Sequence, residues 1–588
     1  MNQLLQEKTH SNSFGLTPPI KIGLSNFIKI SFCLAVISLL LTVNSMLFAQ
    51  TPDWIWAKSE GTSDDEYPYD IARDVDGNIY ACGFFFGPSM SFGNITLTNS
   101  GNWNFFVVKY DSNGNVLWAK NPDGTPEAAA GSIAIDGANN VYVTGSFWGP
   151  TLTIGDTTLT NVNYSAYEDQ SDIFIIKYDP SGNVLWAKSM GGSKSEVGWS
   201  IAVDPFDNII LSGWFTSPDA AFDSLILVSL EDDPNLLGDT YIAKLNSNGK
   251  VLWVKGAGTT GYYDIVESVT SDNSGNIYAI GTYSGPSITW DTLTLDNTAL
   301  GFSDIFITRL DSAGNIIWLK NIEGDADDNG RGIASDSHGN IFITGSFASS
   351  TLNFGNTSLI NSHPGTGDWF IAKYDSTGNQ VSAHSAEGNG NEFDWRAVTC
   401  DAEGNVYATA EYSSDVLTFD SISSIGNAGY LDIFIVKYNS SGDLVWVTSI
   451  GSDSNDEPLG IAVSAVDNVY VAGGFDNDLI FDNTTLINKG GLDFFIAKLA
   501  NSNVGINEIA NEKAITVYPN PSSDKITVSF SSNEKGELQI LNLSGQLIFY
   551  KEINSMREEI DVSKLPAGVY LITATNATRK LENVFLKQ

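Results

Sequence analysis

The sequence predicts an all-β fold assembled from repeats, on three observations. A strand-like run, FVVK at Phe106, returns as FIIK at Phe174, YIAK at Tyr241, FITR at Phe306, FIAK at Phe370, FIVK at Phe434 and FIAK at Phe495, in steps of 61 to 68 residues. A second run precedes each copy: GNIYACG ending at Gly83, NNVYVTG at Gly145, DNIILSG at Gly213, GNIYAIG at Gly281, GNIFITG at Gly345, GNVYATA at Ala410 and DNVYVAG at Gly473. The third observation concerns the ends. A tryptophan-bearing strand follows most copies, at Trp118, Trp186, Trp253, Trp318 and Trp446, with Ser382 once in its place. None follows the last copy, while DWIWAKSEG with Trp56 stands alone at the start. An open solenoid would leave both fragments as orphan edges, whereas in a ring the first strand completes the last unit. Four strands per unit, seven units and one split unit predict a seven-bladed β-propeller with its N-terminal strand in the last blade.

Residues 1–49 read as a signal peptide: a polar segment with Lys21 and Lys29, the apolar run ISFCLAVISLLLTV from Ile30, then MLFAQ, with cleavage expected near Ala49. The leader before the apolar run is long, so a true start downstream of Met1 suits it better. No other long apolar run follows, so no membrane insertion is expected after cleavage.

Residues 50–502 carry the repeats. In FIIKYDPSGNVLWAK, from Phe174, two apolar runs flank a Gly-containing turn, which makes a hairpin. Neither run alternates, so both faces are expected to be covered, as neighbouring blades would do. The four strands of a blade are typified by WSIAVD at Trp199, NVYVTGSF at Asn140, DIFIIKY at Asp172 and NVLWAK at Asn183. Tight turns such as DVDGN at Asp74 and DPSGN at Asp179 join the first to the second and the third to the fourth. The longer links, one with a pseudo-strand such as TLTIGDTTLTN from Thr151, share the opposite face.

Binding residues concentrate on longer loops, so that face holds the candidate site. Its acids are Asp64, Asp65 and Glu66; Glu196; Asp327 and Asp328; Glu392 and Asp394; and Asp456 and Glu457, which are expected to ring the mouth of a central channel. The bland alternative is a solvated loop. Aromatics at one repeated position (Phe85, Phe147, Phe215, Tyr283, Phe347, Tyr412, Phe475) suit packing between blades. The non-repeated Trp148, Trp214 and Trp290 are better ligand candidates.

Of 30 Lys and Arg against 69 Asp and Glu, residues 1–49 hold 3 against 1 and residues 507–588 hold 9 against 10, leaving 18 against 58 for the repeats. Such a field repels phosphate backbones and anionic lipid, which excludes nucleic acid as a partner. Cys82 and Cys400 read as small core residues and no metal ligand set is expected. The D-x-x-G-N turns match a calcium loop only in part, so calcium is a weak alternative to no cofactor. No catalytic residues are assigned, because the histidines are scattered and carboxylate pairs arise by chance in so acidic a chain.

Residues 503–513 form a polar linker, and from Ala514 alternating strands with Asn-Pro, Ser-Gly and Pro-Ala-Gly turns predict a small Ig-like β-sandwich over residues 514–588. The repeats over roughly residues 51–502 resemble the bacterial seven-bladed propeller repeats of SBBP type. The segment with Tyr518, Pro519, Asn520, Pro521, Gly568 and Tyr570 resembles the type A C-terminal sorting domain of the type IX secretion system. That resemblance implies a Bacteroidetes-type cell, the secretion machinery as partner, and a secreted or outer-membrane surface-attached product. The expected function is a monomeric scaffold binding an extracellular polysaccharide, protein or divalent cation on its acidic loop face. The alternative is a hydrolase or lyase using paired carboxylates at the channel mouth.

Overall fold

The structure is a computed structural model and describes residues 52–500 and 515–587, with interruptions at 125–126, 163, 165–169, 230–237, 260–261, 298, 300, 394–396, 421–422, 465–467, 519–521, 531–535, 543–545, 554, 556 and 576–579. The signal peptide, the linker, Asp394 and Pro519 to Pro521 therefore lie outside the described residues. Two compact units divide at Asn501 and Ser502. All regular elements among the described residues are strands.

The first unit repeats one design. Ala128–Ile135, Val141–Phe147, Asp172–Tyr178 and Val184–Met190 pair antiparallel in that order as inner, second, third and outer strands. Every residue of the second and third strands is buried, as their lack of alternation requires. Seven sheets share this order. Their inner strands are Glu66–Arg73, Ala128–Ile135, Glu196–Val203, Asp264–Ser271, Asp328–Ser335, the broken Glu392–Phe393 and Val398–Cys400, and Asp456–Val463. Each packs against the next, and Asp456–Val463 packs back on Glu66–Arg73. The outer strand of the last sheet is Asp53–Glu60, paired with Asp493–Ala500 from Asp53↔Ala500 to Glu60↔Phe494.

The long link between second and third strands holds a two-stranded hairpin rather than a single pseudo-strand, as in Thr151–Ile154 with Thr157–Thr160. The reason is its turn residue, left-handed in all seven copies: Gly93, Gly155, Asp223, Asp291, Gly355, Asp420 and Asp482. Three of the aspartates meet the outer strand of the preceding sheet, in the pairs Lys188 with Asp223, Lys255 with Asp291 and His384 with Asp420. Trp290, expected as a ligand candidate, lies in such a hairpin and is fully buried against Phe306.

The D-x-x-G-N turns close on themselves. Asp74 accepts the Asn78 N–H (2.8 Å), the Asn78 side-chain amide (2.7 Å) and the Tyr80 hydroxyl (2.9 Å), while Lys109 stands 3.5 Å away. These bonds hold its carboxyl below its ordinary range against the opposing effect of burial. In the turns between third and outer strands, the positive-φ glycine also seats a tryptophan from the preceding sheet. A Cβ at Gly182 would meet the Trp118 ring at 2.9 Å, and one at Gly314 the Trp253 ring at 2.9 Å. Where Ser382 replaces tryptophan, the neighbour of Gly442 is a hydroxyl, and His384 tilts over Tyr438 with ring centroids 4.9 Å apart. Ser382→Trp is expected to stabilise the protein by about 1 kcal/mol, read as a rise in Tm, because it restores a packing partner used elsewhere.

The second unit has a three-stranded sheet, Ile515–Tyr518, Lys525–Phe530 and Arg557–Asp561, and a four-stranded one, Leu547–Ile553, Gly536–Asn542, Gly568–Thr575 and Lys580–Lys587. Ile526, Val528 and Ile560 from one sheet share a core with Leu538, Ile540 and Ile572 from the other.

Candidate functional site

The site begins with a glycine. In the second strand of six sheets, a Cβ at Gly83, Gly145, Gly213, Gly281, Gly345 or Gly473 would lie 1.9 to 2.1 Å from a carbonyl oxygen of the inner strand. That closeness accompanies a β-bulge in each of these inner strands: pairing skips from Pro68 to Asp70, Ala130 to Ser132, Gly198 to Ser200, Val266 to Ser268, Gly330 to Gly332 and Pro458 to Gly460. A bulge re-aims the skipped residue. The skipped residues are Tyr69, Gly131, Trp199, Glu267, Arg331 and Leu459, all different in character.

The residues beside them stitch the inner strands together. Ser132 Oγ donates to Asp70 Oδ2 (2.7 Å), and the Ile201 and Val269 N–H groups donate to Ser132 Oγ (3.3 Å) and Ser200 Oγ (3.2 Å). They line a central cavity of about 190 Å³ to which every inner strand contributes. Because Gly131 has no side chain, Tyr69 reaches Trp199, with ring centroids 6.2 Å apart. The Trp199 indole N–H donates to Glu267 Oε2 at 2.7 Å, and the other oxygen of Glu267 binds Arg331. Glu267 is buried and Arg331 partly exposed, so the carboxylate holds both neighbours in place.

From Tyr69 an aromatic band runs outward through Phe84 (5.6 Å), Phe86 (5.5 Å), Trp103 (6.1 Å) and Trp148 (5.9 Å). Phe86 is 40% exposed and the other four are half-buried. Tyr67 stacks on Phe84 at 5.1 Å, and burial, with Asp65 beside it, pushes its phenol up to about 12. Trp148 thus joins a site, while Trp214 lies against Gly238 in the third sheet.

The loop acids divide. Asp64 and Asp327 are exposed, and Asp65 and Glu457 are half-buried. Glu66, Glu196, Asp328, Glu392 and Asp456 are fully buried, each the first residue of an inner strand and turned into the contact with the preceding sheet. These five do not ring the mouth, because they are buried, with Glu66, Glu196 and Asp456 accepting backbone N–H groups of the loops that precede them. Tyr69, Glu267 and Arg331 were missed and Trp199 was read only as a strand residue. Their signal is variation just ahead of a repeated pair, Ile-Ala in five of the six strands.

In the second unit, Tyr518 is exposed beneath the Arg557 guanidinium, 5.3 Å from its ring. Gly568 opens a strand, and Tyr570 is buried with its hydroxyl donating to Pro566 O (2.9 Å).

Residues 516–588 match the secretion system C-terminal sorting domain, and residues 318–346 match the beta-propeller repeat. Among curated proteins, the chain is 26% identical over 535 residues to an uncharacterized WD repeat-containing protein of Acanthamoeba polyphaga mimivirus, covering 76% of this chain and 38% of that one. It is 23% identical over 207 residues to an ulvan lyase of Nonlabens ulvanivorans, covering 35% of this chain and 36% of that one. The chain thus spans well under half the length of either. Among solved structures, a polysaccharide lyase acting as an ulvan lyase superposes at a TM-score of 0.36 with 10% identity, covering 74% of this chain and 97% of that one. The type IX secretion surface component PorZ of Porphyromonas gingivalis does so at 0.14 with 10% identity, covering 90% of this chain and all of that one. The sorting domain places the protein outside the cell, released or at the cell surface, and makes the type IX secretion machinery its partner; no helix among the described residues is long and apolar enough to cross a membrane. The chain carries an SBBP beta-propeller repeat and, at its C-terminal end, a type IX secretion system sorting domain.

Proposed function

We propose that the first unit is a seven-bladed propeller closed by Asp53–Glu60, that the second is an Ig-like sandwich, and that the propeller binds a neutral polysaccharide at its channel mouth. The observation that carries the ligand reading is the bulge position. The positions two and three residues further on repeat from sheet to sheet, as Ile71-Ala72, Ile133-Ala134, Ile201-Ala202, Ile333-Ala334 and Ile461-Ala462, while Tyr69, Trp199, Glu267 and Arg331 do not. Positions that build a repeat fold are free to recur; a ligand site needs individuality. Aromatic faces beside a fixed carboxylate and guanidinium offer stacking and paired hydrogen bonds, the combination a sugar ring uses. Charge selects the class, since a chain of formal net charge −39 repels polyuronates and sulfated glycans.

The lyase and hydrolase reading draws less support. It needs two carboxylates flanking the scissile bond, and Glu66, Glu196, Asp328, Glu392 and Asp456 are turned into contacts between sheets.

Trp199→Ala and Tyr69→Ala are each expected to weaken binding of a neutral polysaccharide about tenfold, the value of one aromatic stacking contact near 1.4 kcal/mol. Calorimetric titration against neutral and anionic glycans checks this. Equal affinity in both variants and the wild type removes the mouth as the site, and preference for the anionic glycans removes the charge argument.

A further inference from the structure

The fully buried acids at the starts of the inner strands have partners across the sheet contacts. Glu196 N–H donates to Ser171 O (2.8 Å), which sets Glu196 beside Asp172, the first residue of the preceding third strand. The same bond recurs from Asp264 to Gly238 (3.1 Å), Asp328 to Ser303 (2.9 Å), Glu392 to Gly367 (2.7 Å), Asp456 to Leu431 (2.8 Å) and Glu66 to Leu492 (2.7 Å). It sets these acids beside Asp239, Asp304, Asp368, Asp432 and Asp493. All twelve carboxyl side chains are buried.

Their hydrogen bonds leave a particular remainder. Asp432 Oδ2 accepts Ala428 N–H (2.6 Å) and Asp456 Oδ2 accepts Ser452 N–H (2.6 Å), while Oδ1 of each has no partner among the described residues. Asp172 Oδ2 accepts Val162 N–H (2.9 Å) and Glu196 Oε2 accepts Gly192 N–H (2.7 Å), again leaving one oxygen on each. The bonds these carboxyls make come from N–H and O–H donors, which suits an anion and not a metal cation. Asp368 has no partner among the described residues for either oxygen and Glu392 none for Oε2, whereas Glu66 accepts from Thr62 on both oxygens and Asp328 from Ser349 on both. A buried pair of carboxyls, each with one oxygen unused, is completed by one proton held between them.

We propose that three of the seven contacts between neighbouring sheets are proton-binding sites, each holding one proton between the Asp of one third strand and the acid of the next inner strand: Asp172 with Glu196, Asp368 with Glu392, and Asp432 with Asp456. The seventh contact is a control within the molecule. There the two positions are Asn104 and Ala128, and Asn104 Nδ2 donates to Pro122 O (3.3 Å). Asp123 stands where other copies have glycines such as Gly191 and Gly451, whose Cβ would lie 2.1 Å from Asp172 or Asp432. Acid, acid and glycine are lost together.

Burial first, then hydrogen bonding and the partner's charge, set the acidity, and the balance raises Glu196 and Glu392 to about 8 and Asp456 and Asp328 to about 7. Other charges face individual pairs: Asp65 and Lys489 at Glu66 and Asp493, Glu323 at Asp304, Glu387 at Asp368, and Asp476 at Asp456. The phenols of Tyr241, Tyr283 and Tyr412 stand by Glu196, Asp304 and Asp432. Raised acids leave the folded protein with more bound protons than the unfolded chain between about pH 4 and pH 8, so stability is complete in acid and falls as pH rises.

The test is infrared spectroscopy of the whole protein with denaturant unfolding at each pH. The expected result is a protonated-carboxyl C=O band at about pH 6.5, well above ordinary acid pKa values, that disappears by about pH 9 as the unfolding midpoint falls. Asp432→Asn, which copies Asn104, is expected to fold and to remove one pair's share of the band. Absence of the band at that pH, or a midpoint that is flat or rises with pH, overturns the proposal. Loss of the band with a gain in stability on adding calcium chloride also overturns it, in favour of a cation.

Discussion

Removing Asp53–Glu60 is expected to abolish cooperative folding of the first unit. The strand pairs along its length with Asp493–Ala500, and its side chains pack on neighbouring strands. Trp54 meets Phe481 edge-on with centroids 4.7 Å apart, Ala57 is buried, and the Trp56 ring lies 3.1 Å from where a Cβ of Gly114 would be. At about 1 kcal/mol net for each hydrogen bond, with the buried apolar area added, the loss is on the order of 5 kcal/mol or more. That is comparable to the whole stability of a typical domain. It also bares Asp493–Ala500 as an apolar edge strand, a template for aggregation. Thermal unfolding and size-exclusion chromatography of the truncated protein read both effects, and a peptide of residues 52–60 added in trans is expected to restore the monomer. A truncated protein with unchanged Tm and elution would mean that the first unit folds without this strand.

The all-β repeat and the pairing of Asp53–Glu60 with Asp493–Ala500 were legible because they follow from a repeated apolar pattern and an orphan strand at each end. The buried acids were legible too, yet were read as surface. Glu66 to Gly83, Glu196 to Gly213, Asp328 to Gly345 and Asp456 to Gly473 all span 17 residues, and a charge that merely faces water has no reason to keep register. The bulge was harder to see. It is a property of pairing between strands, and in one dimension Trp199 is only the fourth residue of EVGWSIAV. The aromatic band was beyond reach for a similar reason, since Tyr69, Phe86 and Trp103 lie far apart along the first sheet's chain, Trp148 belongs to the second sheet, and they meet only in space.

The bulge and the site stand or fall together, which makes Gly213→Ala the most informative single substitution. A Cβ at Gly213 would lie 1.9 Å from Val197 O, a backbone atom held in the sheet and unable to swing aside. Overpacking of this kind costs about 3 kcal/mol, and relief requires the inner strand to move away just where Trp199 is bulged toward Tyr69 and Glu267. Ala410 occupies the equivalent position of the sixth sheet. Gly213→Ala is therefore expected to lower Tm and to break the Trp199 indole bond to Glu267, read as a shift of tryptophan fluorescence, whereas Ala410→Gly is expected to change stability by less than about 1 kcal/mol. An alanine tolerated at Gly213 with fluorescence unchanged would separate the glycine from the bulge, and the repeat would then have to fix Trp199 by other means.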